Sequence, residues 1–128
     1  MSVPHEATYD AILSPPAANV LSAAPIIEVT KFHLKSSVSR DAWLAQQAAV
    51  QKLLDEAKGC KGYASGFVEG KDEYLVLVGW ESVEAHNGWA QAEKEKPDSA
   101  CNRYVAMVTG AEMCHVAIRE VMPGASRH

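Results

Sequence analysis

Glu73-Tyr-Leu-Val-Leu-Val-Gly-Trp-Glu81 is the clearest strand in the chain. Successive side chains of a strand point to opposite faces, so Tyr74, Val76, Val78 and Trp80 share one side and Leu75, Leu77 and Gly79 the other. Both sides are apolar, and both are therefore expected to be buried. One face must cover helices. The other must meet something else, and a chain of 128 residues has little left to supply it. A second copy of the sheet is the economical answer, so a homodimer is expected.

Working outward, Glu69-Gly-Lys-Asp72 reads as a hairpin turn that joins this strand to a preceding one over Gly62–Val68. Upstream, Ser39 is placed to cap a helix, with Asp41 in its first turn. Apolar residues then recur at Ala42, Trp43, Ala49, Val50, Leu53, Leu54 and Ala57, which is helical spacing with one buried face. Lys58-Gly59 is expected to end that helix. Ile26–Lys35 alternates and is read as the first strand. Downstream, Ser82 caps a second helix to about Glu95, Pro97 stops it, and a further helical turn runs to about Val108. The last strand is expected over Glu112–Val121. The order β-α-β-β-α-β is the split βαβ plan of an α+β, ferredoxin-like domain. The domain is expected over residues 26–122. Residues 1–25, rich in Ala, Ser and Pro, form an N-terminal arm, and 123–128 a polar tail. The arm's Ile12, Leu13, Val20 and Leu21 either dock on a surface, across a dimer for instance, or belong to a partly mobile segment.

The bulk composition narrows the functional classes. The apolar fraction is 48%, the charged fraction 22% and the net charge −4. Nucleic acid is not an expected partner, because phosphate binding needs clustered Lys and Arg, and here Lys94 and Lys96 alternate with Glu93 and Glu95. Membrane insertion is not expected, since no stretch approaches the roughly 20 apolar residues that span a bilayer. Cys60, Cys101 and Cys114 are odd in number and lack C-x-x-C spacing, which suits a reducing cytoplasm. Any of the three could be a nucleophile, although free cysteine more often packs as a small hydrophobe. Dinucleotide, P-loop, G-x-S-x-G and H-E-x-x-H motifs are absent. The histidines show no ligand spacing, so no metal site is expected.

Tyr74-Leu-Val-Leu-Val-Gly-Trp-Glu-Ser-Val-Glu-Ala-His86 resembles the strand-to-helix junction of the dimeric α/β-barrel superfamily. That group includes the antibiotic-biosynthesis monooxygenases and the stress-responsive A/B-barrel proteins. Glu28-Val-Thr-Lys-Phe-His-Leu-Lys35 is similar to their first strand. The resemblance implies a dimer of sheets packed face to face, with a pocket in each protomer between the sheet and its own helices. By that register Glu28, Thr30, Phe32, Tyr74, Val76, Val78 and Trp80 face the pocket. Leu75, Leu77, His33 and His115 face the dimer. A slip of one residue would exchange the two sets. The resemblance also implies a cofactor-independent enzyme acting on a small aromatic or polyketide-like compound, with monooxygenation as the leading expectation. Non-oxidative cyclisation, lyase or decarboxylase chemistry is the alternative, and a non-catalytic binding or stress protein is a third. Cyclase-like members of the superfamily carry His-Pro-x-His after the second helix. Lys96-Pro97-Asp98-Ser99 stands there instead, which counts against a direct transfer of their mechanism.

Two residues are the catalytic candidates. His86, in the first turns of the second helix beside the pocket mouth, suits proton transfer near neutral pH. A histidine there can equally serve helix–sheet packing. Glu28 lies on an otherwise apolar face, where burial would favour its neutral form and suit it as a base. At an open strand end it would be merely solvated. Trp80, Tyr74, Phe32 and Trp89, with Thr30, Val76 and Val78, are the substrate-binding candidates, an aromatic wall for a planar compound. The same aromatics also suit an ordinary core.

Overall fold

The computed structural model describes Val20 and residues 24–118. The strands are β1 (Ile26–Leu34), β2 (Cys60–Phe67), β3 (Glu73–Trp80) and β4 (Val108–Ala117). The helices are α1 (Arg40–Glu56), α2 (Val83–Lys94) and α3 (Ala100–Val105). The strands form one antiparallel sheet in the order β2-β3-β1-β4. This is the ferredoxin-like plan expected from the sequence. Ile12, Leu13, Leu21 and the tail 123–128 lie outside the described residues.

Local chemistry sets the helix starts. Ser39 Oγ accepts from the Ala42 amide at 3.1 Å, and Ser82 Oγ from the Ala85 amide at 3.0 Å. Each satisfies an amide that the first helical turn would otherwise leave unpaired, a cap worth about 1 kcal/mol. Gly59 and Gly70 have φ of +90° and +74°, at the chain reversals after α1 and between β2 and β3. Such values favour glycine.

The C-terminal third departs from expectation. The last helix ends at Val105 and β4 begins at Val108, four residues before the expected start at Glu112. Pairing with β1 explains the early start. The Lys35 amide donates to the Met107 carbonyl at 3.0 Å, and Leu34 stands opposite Val108 beyond a register shift at His33/Leu34. Once β1 offers unpaired backbone groups, chain that would otherwise be loop joins the ladder.

The two faces of the sheet have different partners. On the helix side the core gathers Trp43, Tyr74, Val76, Val78, Trp80, Leu54 and Tyr104, all buried. Trp43 stacks on Tyr104 with ring centroids 4.0 Å apart and meets Tyr74 edge-on at 5.4 Å. On the other face Ile27 and Ala64 pack with Val20 and Ala24 of the N-terminal arm. A Cβ on Gly79 would stand 2.7 Å from the Ala24 Cβ, so the arm approaches there only because β3 carries no side chain. The face opposite the helices is thus partly covered from within the chain. Val116 remains 43% exposed on it.

Register confirms the expected facing of β1 and β3 and corrects that of β4. Glu28 pairs with Val78 on one side and with His115 on the other, and cross-strand partners share a face. Glu28, Thr30, Phe32, Tyr74, Val76, Val78 and Trp80 all face the helices. Leu75, Leu77 and His33 face away. His115, expected on the dimer side, faces the helices beside Glu28. The parity of β4 follows from its hydrogen-bond register with β1, and a strand that is apolar on both faces carries no periodic signal of it.

Candidate active site

A cavity of about 360 Å³ opens between the sheet and the helices. That lies within the usual range for small-molecule sites, about 300–1,000 Å³. Its floor is Glu28, Phe32, Val76 and Val78 of the sheet. Val50 and Leu54 of α1 and Trp89 of α2 form apolar walls, while Tyr104, Cys101, Lys94 and Glu93 lie toward α2 and α3. The floor is mostly apolar because alternation on β1 and β3 sends their hydrophobic side chains toward the helices. Glu28 is the exception.

Glu28 is held by three donors. Its Oε1 accepts from the Trp80 indole N–H at 3.1 Å and lies 3.1 Å from His86 Nε2, and its Oε2 accepts from the Thr30 hydroxyl at 2.8 Å. A carboxylate offers about four lone-pair positions, so one remains on Oε2 for a group in the cavity. His86 lies behind Glu28, 6% exposed and stacked on the Trp80 ring at 5.0 Å. Its Nδ1 is 2.7 Å from His115 Nε2. Burial lowers the His86 pKa below the ordinary histidine value; the Glu28 charge opposes that shift and His115 adds to it. The imidazole is therefore neutral around neutral pH.

The sequence candidates fall into three groups. Glu28, Phe32, Val76, Val78 and Trp89 line the cavity. Thr30, Trp80 and His86 stand behind Glu28 and reach the cavity through it. Tyr74 does neither. Its hydroxyl is 2.7 Å from Ser65 Oγ, and its ring packs between Trp43 and Phe67. A second polar chain starts in the wall itself, where Gln47 and Tyr104 both line the cavity. The Tyr104 hydroxyl donates to Gln47 Oε1, and the Gln47 amide donates to Ser65 Oγ at 3.3 Å. Burial drives the Tyr104 pKa well above the usual phenol value, so it lines the cavity as a neutral phenol.

Sequence reasoning missed His115, Gln47 and Glu93. Gln47 had a usable signal, because it interrupts the apolar stripe Trp43–Val50–Leu54 with a polar side chain. Glu93 is buried, although it sits in a run of alternating charge. Its oxygens take the Ser99 hydroxyl and the Lys96 ammonium, both at 2.8 Å. Of the cysteines, Cys101 lines the cavity, but burial raises its pKa to about 11. It stays a thiol at neutral pH and is a poor nucleophile. Among the described residues no group of three or more His, Cys, Asp or Glu could hold a metal ion, and no helix is long and apolar enough to cross a membrane.

An antiparallel four-stranded sheet with helices on one face and a ligand-sized cavity between them defines a ferredoxin-like α+β domain. The model of the antibiotic biosynthesis monooxygenase family matches residues 25–96, more than half of the chain, and the chain belongs to that family. Solved structures share the fold at low identity. SnoaB of Streptomyces nogalater, a cofactor-independent oxygenase solved in mutant form, superposes with a TM-score of 0.63 at 15% identity, over 77% of this chain and 96% of that one. At3g17210 of Arabidopsis thaliana gives 0.61 at 14%, over 77% and 100%. MhuD, in a mutant form holding two manganese protoporphyrin IX groups per active site, gives 0.56 at 19%, over 78% and 100%. No curated protein matches the chain.

Proposed function

We propose that this protein is a cofactor-independent monooxygenase acting on a small aromatic or polyketide-like compound, with Glu28 as its base. The observation that supports this reading is a carboxylate, anchored by three donors, among the residues that line an otherwise largely apolar cavity. A planar ligand fits against Phe32 and Trp89. Its acidic C–H or O–H meets Glu28 Oε2, which takes the proton. The resulting electron-rich carbanion or enolate attacks dioxygen. For a methylene flanked by aromatic rings, the peroxide then loses water and leaves a ketone, so that CH₂ and O₂ become C=O and H₂O. The protein contributes the proton acceptor, a dry cavity and the orientation of the ring.

The same carboxylate favours a second reading. Proton abstraction without oxygen would drive an aldol-type cyclisation or a decarboxylation. Oxygen uptake with a tricyclic anthrone-type probe separates the two. The first reading expects one O₂ consumed per quinone formed, and loss of about 10²-fold or more in Glu28→Gln. Turnover that persists under argon would favour the second. Saturable binding of the probe with no turnover in either atmosphere would point to a binding protein and set both enzyme readings aside.

A further inference from the structure

We propose that His115 is a positioning residue: its Nε2–H donates to His86 Nδ1 and so holds His86 in the tautomer whose Nε2–H points at Glu28. The inference rests on Glu28 being the base. It assigns a task to a residue that no sequence pattern marked and that reaches the cavity only through two others.

The direction of each hydrogen bond follows from what the groups can donate. Trp80 Nε1 is a donor only, so Glu28 Oε1 already acts as an acceptor toward it at 3.1 Å. The second group at Oε1 is His86 Nε2, also at 3.1 Å. With Glu28 as a carboxylate, this nitrogen must carry its hydrogen. A neutral imidazole has one N–H, so His86 Nδ1 is then a bare acceptor. His115 Nε2 lies 2.7 Å from it and must be the donor. Two bare nitrogens at that distance would repel, and so would two N–H groups. The reverse wiring, with His86 Nδ1–H donating outward, leaves a bare Nε2 facing Glu28 Oε1 and requires a proton on the carboxyl. A protonated Glu28 could not act as the base.

The fold builds this arrangement from three elements. Glu28 and His115 are direct partners across β1 and β4, and α2 lays His86 over the pair. The Trp80 ring stacks on one side of His86 and His115 meets it edge-on, with centroids 4.9 Å apart, so the imidazole cannot turn over freely. The ionisable groups placed against His86 are thus Glu28 from β1 and His115 from β4. His115 itself is half-buried on the edge strand.

The experiment compares wild type, His115→Leu and His115→Gln. The glutamine amide N–H takes roughly the place of imidazole Nε2–H, whereas leucine supplies no donor. The first readout is the ¹⁵N ring spectrum of His86, which needs no turnover. Wild type is expected to show Nε2 protonated and Nδ1 bare. His115→Leu removes both the donor to Nδ1 and the edge contact that restrains the ring, so it should lower the share of that tautomer, and His115→Gln should restore the wild-type pattern. The second readout is turnover of the anthrone-type probe. His115→Leu should lower kcat about tenfold with KM little changed, and His115→Gln should recover most of it. A thermal melt shows that each variant is folded. A wild-type His86 carrying its hydrogen on Nδ1 would overturn the proposal. So would a His86 tautomer indifferent to leucine, or equal kcat in all three proteins. Absence of oxygen uptake by wild type, with the expected tautomers in place, would refute the monooxygenase reading and leave the wiring standing.

Discussion

Replacing Glu28 tests the site most directly, because the structure makes different demands on two variants. Glu28→Gln keeps the shape. Its amide oxygen can still accept from Trp80 Nε1–H and His86 Nε2–H, which lie 3.1 Å from Oε1. Its NH₂ then faces the Thr30 hydroxyl, which can rotate to accept. Charge-assisted bonds become neutral ones, at a cost of about 1 kcal/mol. Glu28→Ala removes the acceptor altogether. The Trp80 indole and the His86 imidazole are both buried, so their N–H groups lose their partner, at about 1–3 kcal/mol each. A total near 3 kcal/mol allows for water entering from the cavity. In a domain of this size 1 kcal/mol moves Tm by about 4 °C. Glu28→Gln should therefore melt a few degrees below wild type and Glu28→Ala about 12 °C below. Calorimetry measures the melts, and an oxygen electrode measures turnover in parallel. Both variants should lose about 10²-fold or more in kcat. Wild-type turnover in the glutamine variant would show that Glu28 is not the base. Equal melting of the two variants would show that the three donors do not depend on it.

Trp80→Phe should destabilise the fold by about 1–3 kcal/mol while leaving KM for the probe unchanged, because Trp80 is buried behind Glu28 and does not line the cavity; a raised KM in a stably folded variant would place it in direct contact with substrate. The folded-state pKa of His86 lies below its unfolded value. Between the two the unfolded chain binds more protons, so stability should rise with pH through that window and level off above about 6.5. Denaturant melts at several pH values would show that rise, and a slope surviving unchanged in His86→Gln would assign it elsewhere. Gly79→Ala should cost about 1–3 kcal/mol and loosen the N-terminal arm, since the new Cβ would stand 2.7 Å from the Ala24 Cβ. Limited proteolysis reports the contact, and unaltered cleavage around Val20 and Ala24 would contradict it. The exposed Val116 and half-buried Leu75 and Leu77 lead us to propose a homodimer through that face; light scattering should give twice the monomer mass, and a monomer at micromolar concentration would refute it.

The sequence determined the element order, the helix starts and the facing of two strands, for a local reason. Ser39 and Ser82 cap the turns they precede, and Tyr74, Val76, Val78 and Trp80 alternate within one strand. Neither signal needs knowledge of anything distant in the chain. It also marked Glu28 and His86 as candidates, by the oddity of a carboxylate on an apolar face and a histidine at a strand-to-helix junction. Tertiary structure decided the rest. The start of β4 depended on backbone groups offered by β1, whose residues lie about 80 positions away. The register of that pairing turned His115 toward the helices, a parity that an apolar-on-both-sides strand does not encode. Packing, too, moved Tyr74 out of the candidate site and brought Val20 and Ala24 down onto Gly79. It also placed Glu28 at the cavity surface with His86 and Trp80 behind it, an ordering set by depth from the cavity, for which no spacing along the chain is a measure.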